Sequence, residues 1–284
     1  MSQKRMKRDN RTPEQIREHY EIEKELAGRL RNASKQERRY LYSSLYDELF
    51  RRVPHHPQLT RKTSPEETAH YVAIQIMFLR PYLNKDVVFV EVGPGDCTLS
   101  LEVAKSVKQV FAVDVSDEIT KDLVVPENFR LILSDGISIP GLPNSVDVVY
   151  SYQLMEHLHV DDAIEQLQNI YHALAPGGCY ICVTPNKWTG PHDVSRFFDQ
   201  QATGFHLKEY TALELQSLFR KVGFLKIRLF VGGKGRYIAC PSSIPNQCEQ
   251  LLSALPDRLG KAIAVMPPFK QLLGIRIVGT KSNL

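Results

Sequence analysis

Long apolar runs and cysteine are both scarce in this chain of 284 residues. No apolar stretch approaches the roughly 18 residues of a transmembrane helix, so we expect no membrane span. The opening MSQKRMKRDNRTPEQ contains no apolar segment and does not resemble a secretory signal. Five cysteines are too few for a disulfide framework at this length. We therefore expect reduced thiols and a cytoplasmic location.

Cys179 and Cys182 have the spacing of a metal-binding pair, but their surroundings argue against that role. Both lie in CYICV, a run that is typical of a β-strand. Side chains three positions apart on a strand point to opposite faces of the sheet. The pair is poorly placed to share an ion, so we expect buried thiols and no metal site.

A large excess of one charge sign is also missing. The chain has 36 Lys and Arg against 32 Asp and Glu, which gives a net charge of +4. This mild imbalance argues against a dedicated nucleic-acid binder and favours a small molecule as the partner. The hydrophobic fraction of 43% is high enough to build a sizeable core.

Residues 1–65 are rich in charge and have a helical pattern, which predicts an N-terminal helical arm. In RRYLYSSLYDELFRRV, an apolar stripe from Tyr40 to Phe50 ends before Pro54. The arm has three interpretations: a lid over an acceptor site, a contact in a homodimer, or a nucleic-acid arm. The aromatic stripe favours a packed lid.

From residue 66 onward, strand-like and helix-like segments alternate. VVFVEV, QVFAVDV, FRLILS, SVDVVYS and CYICVTP are apolar runs of strand length, and amphipathic stretches separate most of them. This alternation predicts an α/β fold with a Rossmann-like, mainly parallel, doubly wound sheet. We assign residues 66–284 to this domain, with a helical insertion near 243–272.

The first predicted strand ends in an acid and two glycines, in the order Glu91, Gly93, Gly95. Glycine permits a tight turn and lets a ligand approach the backbone. The second strand ends at Asp114, where a carboxylate can accept hydrogen bonds from a ribose diol. Together these features indicate a pocket for a nucleoside-containing cofactor.

Two classes of cofactor compete for such a pocket. A nicotinamide dinucleotide site, which would indicate an oxidoreductase, requires a third glycine where this chain has Thr98. The negative charge of Glu91 would also repel a pyrophosphate. That charge suits a cationic ligand without phosphate, which S-adenosylmethionine (SAM) is.

At this point the sequence resembles the class I SAM-dependent methyltransferases of the small-molecule type. The resemblance covers about residues 66–240 and rests on Asp114 together with EVGPGD, SDGISIP, VDVVYSYQLMEHL and LAPGGCYICVTPN, in that order. Two positions depart from the family pattern. Cys97 replaces a frequent glycine, and Tyr152 replaces a frequent Asn.

The resemblance implies cofactor-binding roles for nine positions: Glu91, Gly93, Gly95, Asp114, Val115, Asp135, Gly136, Ser151 and Gln153. Glu91 would lie near the methionine end of SAM and Asp114 at the ribose. Asp135 would accept a hydrogen bond from the adenine amino group. Methyl transfer itself needs orientation and, for a neutral acceptor, a base. The sulfonium donor needs no Lewis acid, so we expect no bound metal and no dependence on a divalent ion.

Three histidines are candidates for that base: His157 after the fourth strand, and His192 and His206 in the loop after the fifth. Their position favours an oxygen acceptor, either a hydroxyl or a carboxyl group. The aromatic loop 188–210 is expected to form the acceptor wall. Methyl transfer to nitrogen or carbon remains open, as does a non-catalytic SAM-binding partner subunit.

Overall fold

A computed structural model describes residues 9–60, 64–117, 123–233 and 235–283. The first eight residues of the predicted arm, and residues 61–63 near its end, lie outside the described part. Among the described helices, none combines the length and the apolarity required to cross a membrane.

The described chain contains ten α-helices and eight strands. The helices are α1 Pro13–Asn32, α2 Lys35–Arg52, α3 Pro57–Thr60, α4 Pro65–Leu79, α5 Thr98–Ala104, α6 Val160–Ala173, α7 Ala212–Val222, α8 Ser243–Ser253, α9 Asp257–Ala264 and α10 Phe269–Leu273. The strands are β1 Val88–Val92, β2 Gln109–Asp114, β3 Phe129–Leu133, β4 Val146–Tyr152, β5 Leu174–Thr184, β6 Lys226–Gly233, β7 Arg236–Cys240 and β8 Ile275–Thr280.

All eight strands form one sheet in the order β3-β2-β1-β4-β5-β8-β6-β7. The first five strands in this order are parallel to one another, while β8 is antiparallel to both β5 and β6. β6 and β7 form an antiparallel hairpin at the edge. The strand order reverses direction at β1, between β2 and β4, so the predicted Rossmann-like and mainly parallel sheet is confirmed.

Each face of the sheet carries its own hydrophobic core, because side chains alternate along each strand. Val90 belongs to the core beneath α1, α2, α6 and α7, whereas its neighbour Phe89 belongs to the core beneath α4 and α5. Cys179 and Cys182 also lie in opposite cores, and neither forms a disulfide. The prediction of two buried thiols on opposite faces is therefore confirmed.

Helices α1 and α2 pack into the larger of these cores. Leu26 and Leu30 of α1, with Leu45 and Leu49 of α2, are almost fully buried there. Tyr40 is 74% exposed, so placing it at the start of the buried stripe was wrong. The buried positions of α2 instead follow the i, i+3, i+7 spacing of a helix face.

A buried ion pair joins α2 to the first turn of α6. Arg38 Nε lies 2.5 Å from Asp162 Oδ2, and Arg38 Nη2 lies 2.7 Å from Asp162 Oδ1. The hydroxyl group of Tyr42 donates to the same carboxylate at 2.7 Å and accepts the amide of His159 at 2.9 Å. These contacts fix one end of α2 beside the carboxyl ends of the parallel strands.

Candidate active site

A cavity of about 340 Å³ opens at the carboxyl ends of β1, β2 and β4, where the strand order reverses. Open α/β sheets bind their ligands at this place. One wall is formed by separate residues at the strand ends and in the segments that follow them, the first being Val92 and the last Gln166. Helix α2 contributes most of the opposite wall. The α2 residues are Tyr42, Ser43, Tyr46, Asp47 and Phe50.

The loop after β1 turns through backbone conformations that glycine favours. Gly93 and Gly95 have φ angles of 70° and 58°, and both line the cavity. A Cβ atom on Gly93 would lie 3.0 Å from Leu154 Cδ1. Cys97 takes a left-handed φ of 58° although it is not a glycine, so the departure from the family pattern leaves the backbone in the glycine-like region.

Asp114 ends β2 and faces the cavity. Burial raises the pKa of its carboxyl group, against the opposing effect of the amides of Val115, Ser116 and Gly95. The amide of Val115 donates to Oδ1 at 2.6 Å. A partly buried acceptor at this position is suited to hold hydroxyl groups of a ligand.

Glu91 lies behind the glycine loop and does not line the cavity itself. Its side chain is buried, and the hydroxyl group of Ser100 donates to Oε2 at 2.5 Å. Burial raises its pKa to about 8. Glu91 instead borders an adjoining cleft that shares Gly93 and Gly95 with the cavity.

The structure brings six of the nine predicted cofactor positions to the cavity: Gly93, Gly95, Asp114, Val115, Gly136 and Gln153. Asp135 is turned away. Its Oδ1 accepts the amides of Ile137 and Ser138, and its Oδ2 pairs with Arg39 at 2.9 Å. Ser151 is fully buried, and its hydroxyl group lies 2.7 Å from that of Tyr180.

His157 is the one predicted base that lines the cavity. Its Nδ1 lies 2.9 Å from the hydroxyl oxygen of Tyr46 and 3.1 Å from the carbonyl oxygen of Phe205. A carbonyl can only accept, so this contact favours the tautomer that carries a proton on Nδ1. Burial, with a contribution from the charge of His206, lowers its pKa to about 3. The ring is therefore neutral, and Nε2 carries a free lone pair.

His192 and His206 lie outside the cavity lining and share one carboxylate. Nδ1 of each ring contacts Glu209 Oε1, at 3.2 Å for His192 and 2.8 Å for His206. Burial alone would lower the pKa of His206, but Glu209 and the charges of Glu156 and Asp193 raise it overall. The hydrogen bonds from both rings lower the pKa of Glu209 to about 2, although burial opposes them.

The aromatic side chains of loop 188–210 pack against helices rather than the cavity. Phe205 stacks on Tyr46 with ring centroids 4.8 Å apart, and Phe197 joins a core with Ile16 of α1. Trp188 packs against α8, α9 and α10. Within the described chain the cavity wall opposite the sheet comes from α2, with Gln58 of α3 added to it. The i, i+4 spacing of Tyr42 and Tyr46 was the sequence signal for this wall.

Comparison with known proteins agrees with this geometry. Residues 90–182 match a family described as a methyltransferase domain. A protein of Mycolicibacterium smegmatis, assigned as a SAM-dependent methyltransferase, is 31% identical over 143 residues. The match covers 50% of this chain and 52% of that protein, so the chain spans about half the length of its relative.

Two solved structures share the fold at a TM-score of 0.50 each. One is the [4+2]-cyclase SpnF, which is 20% identical, with 78% of this chain and 84% of that chain covered. The other is a Nostoc punctiforme protein assigned as an O-methyltransferase, which is 18% identical, with 76% and 57% covered. At these identities the likeness shows the architecture alone.

Proposed function

Because the chain contains a class I SAM-dependent methyltransferase domain, we propose that it transfers the methyl group of SAM to an oxygen nucleophile of a small organic acceptor. The acceptor loses the proton of its hydroxyl or carboxyl group, the S–CH₃ bond breaks, and an O–CH₃ bond forms. S-adenosylhomocysteine and one proton are the other products. The sulfonium supplies the activated carbon, so the protein must orient the two reactants and exclude water.

The residues of the cavity fit SAM. Asp114 offers a carboxylate for the ribose hydroxyl groups, and the left-handed backbone at Gly93 and Gly95 lets the cofactor lie against the main chain. Glu91 places an acidic group behind the same loop, and a cationic methionine end would favour its ionised form. Because burial raises its pKa to about 8, Glu91 is mostly protonated near neutral pH before a ligand binds. The repulsion of a pyrophosphate expected from the sequence is therefore weak and does not by itself weigh against a dinucleotide.

The position of His157 carries the assignment of an oxygen acceptor. The ring lies on the cavity wall just past β4, close in sequence to Gln153 and Leu154, which also line it. A neutral imidazole with Nδ1 held by a carbonyl presents Nε2 as an acceptor for a hydroxyl proton. Of the three predicted bases, His157 is the one with access to an acceptor in this cavity.

The cofactor assignment is tested by replacing Asp114 with Ala in the full chain. Loss of a charged hydrogen-bond acceptor is expected to weaken SAM binding by roughly tenfold or more, as measured by calorimetry, without loss of fold. Asp86→Ala, which removes an exposed acid before β1, is the matched control and keeps wild-type affinity. Unchanged SAM affinity in a folded Asp114→Ala protein would contradict the assignment.

The acceptor class is tested by turnover. The protein and SAM are incubated with separate panels of alcohols, phenols, carboxylic acids and amines, and S-adenosylhomocysteine is measured by mass spectrometry. We expect product with oxygen acceptors. Product with amines alone would overturn the oxygen assignment, and tight SAM binding without turnover in any panel would favour a non-catalytic SAM-binding subunit.

A further inference from the structure

We propose that Glu156, His157 and His206 bind one divalent transition-metal ion at the cavity wall. Each side chain offers one ligand atom, and the three atoms lie within 4.8 Å of one another. Metal–ligand bonds of about 2 Å place such atoms at most about 4 Å apart, so small side-chain rotations close the set around an ion. His157 also lines the cavity, which gives the ion access to a bound acceptor.

Glu156 provides an independent indication of a missing ligand. Its side chain is fully buried, and Oε2 accepts a hydrogen bond from the hydroxyl group of Thr184 at 2.8 Å. Oε1 is also buried, yet it has no hydrogen-bond partner among the described residues. A buried carboxylate oxygen without a partner is costly, and a metal ion would satisfy it.

Each of the two histidines makes the kind of outer contact that metal-binding histidines make. Nδ1 of His157 contacts the carbonyl oxygen of Phe205, and Nδ1 of His206 contacts Glu209 Oε1 at 2.8 Å. These outer contacts leave Nε2 of each ring for a ligand. A histidine that binds a metal through one nitrogen almost always donates its other N–H to a carbonyl or carboxylate.

The donor set determines the class of ion. Two imidazoles and one carboxylate suit Zn²⁺, Mn²⁺, Fe²⁺ or Co²⁺, whereas Mg²⁺ and Ca²⁺ prefer oxygen ligands throughout. Three protein ligands leave at least one coordination position open. That open position can take an oxygen atom of the acceptor. This departs from the sequence-based expectation that the protein binds no metal.

A second cluster, His19, Glu23 and His56, has a similar composition but is already satisfied. His19 uses both ring nitrogens, one with Arg11 and the other with Glu23. Glu23 uses its remaining oxygen to accept the amide of Phe205 at 2.9 Å. The guanidinium group of Arg11 would also repel a cation, so this cluster serves as an internal comparison.

The role of the ion rests on the proposed function, whereas its binding does not. An ion that holds the acceptor oxygen lowers the pKa of the attached proton, as it does for bound water. The proton leaves to solvent before or during attack, the oxygen takes the methyl carbon, and the sulfur retains the electron pair of the S–CH₃ bond. In the metal-bound protein Nε2 of His157 is a ligand, so the ion activates the acceptor oxygen; in the metal-free protein the same nitrogen is free to take the acceptor proton.

Metal binding is tested on the full chain without purification tags. Any metal already bound is removed with a chelator, and the chelator is then removed. Zn²⁺ is titrated calorimetrically, and Co²⁺ is followed by its visible d–d absorption. We expect one ion per chain. Glu156→Gln should weaken binding at least about tenfold, and Glu209→Gln, which loses the outer contact to His206, by about 10–100-fold. The control His56→Gln should bind Zn²⁺ as the wild type does.

Absence of stoichiometric binding, or loss in His56→Gln but not in Glu156→Gln, would overturn the site. Should Glu156→Gln fail to fold by circular dichroism, His206→Asn provides the same test. SAM affinity is measured on each variant, so loss of metal with retained SAM binding separates this site from the cofactor assignment. Equal turnover of one acceptor with and without Zn²⁺ would overturn the catalytic role but not the site.

Discussion

Glu91 is a buried carboxyl group whose folded-state pKa of about 8 lies well above its value of 4.5 in an unfolded chain. Between these values the folded protein holds a proton that the unfolded chain releases. The contribution of Glu91 to stability is therefore fully present below pH 4.5 and is lost as the pH rises toward 8. As the pH rises through this window, we expect ionisation of Glu91 to lower the free energy of unfolding by up to about 1.4 kcal/mol per pH unit.

The measurement is urea unfolding of the wild type and Glu91→Gln at several pH values across that window. Gln cannot ionise, so the variant should gain stability relative to the wild type as the pH rises. Glu102→Gln, which removes a carboxylate 44% exposed on α5, is the control and should show no such trend. Parallel pH profiles for Glu91→Gln and the wild type would rule out the raised pKa.

Sequence motifs correctly placed those site residues whose position depends only on the local backbone. Gly93, Gly95 and Asp114 could be placed because a motif at a strand end must lie at the ligand-binding edge of a parallel sheet. The unpartnered oxygen of Glu156 could not be predicted, and neither could the carboxylate of Glu209 shared by two rings. Both depend on contacts between segments far apart in the chain.

Helix α2 depends on the ion pair between Arg38 and Asp162 for its place beside the cavity. Both side chains are almost fully buried, at 5% and 0% exposure. Removing one partner leaves an uncompensated buried charge, so Arg38→Ala should lower the free energy of unfolding by about 3–5 kcal/mol. Denaturant unfolding measures this loss.

The neighbouring Arg39 supplies the control for that experiment. Its side chain is 38% exposed and pairs with Asp135 and Glu165 at the surface. Exposed pairs contribute about 0–1 kcal/mol, so Arg39→Ala should change stability little. Equal effects of the two substitutions would show that α2 does not rely on the buried pair.

The sequence predicted where helices begin and end more reliably than it predicted what each helix packs against. Thr211 and Glu214 have the spacing of a capping box in the sequence and form one at the start of α7, and Gly223 ends that helix with a φ of 120°. The i, i+3 and i, i+4 periodicity shows that α2 has a buried face. Periodicity alone does not show what that face packs against. The sequence therefore left the arm with three interpretations, a lid among them, and also expected loop 188–210 to form the acceptor wall.

For the whole molecule, binding of SAM should raise the thermal midpoint. Ligand at 100 times its dissociation constant stabilises the folded state by about 2.7 kcal/mol. For a domain of this size that corresponds to a shift of roughly 5–10 °C. Thermal denaturation with SAM, S-adenosylhomocysteine and NADH checks this. A shift with NADH but not with SAM would favour the oxidoreductase interpretation.

The class of fold followed from the alternation of strands and helices, whereas part of the strand order did not. A parallel sheet covered on both faces explains the near-continuous apolar strands β1, β4 and β5. The segment GIRIVGTK is typical of a strand, but nothing in it indicates the place of β8 in the sheet. β8 inserts between β5 and β6 because of long-range pairing, and local pattern carries no information on such pairing.

The inserted position of β8 sets the order in which the sheet can be completed during synthesis. About 90 residues separate the end of β5 from the start of β8. At a translation rate of about 5–20 residues per second, the growing chain exposes an unpaired edge of β5 for roughly 5–18 s. The ribosome-bound chain can therefore pair β1 to β5 early. Until β8 emerges, the unpaired N–H and C=O groups along that edge of β5 can pair with other chains.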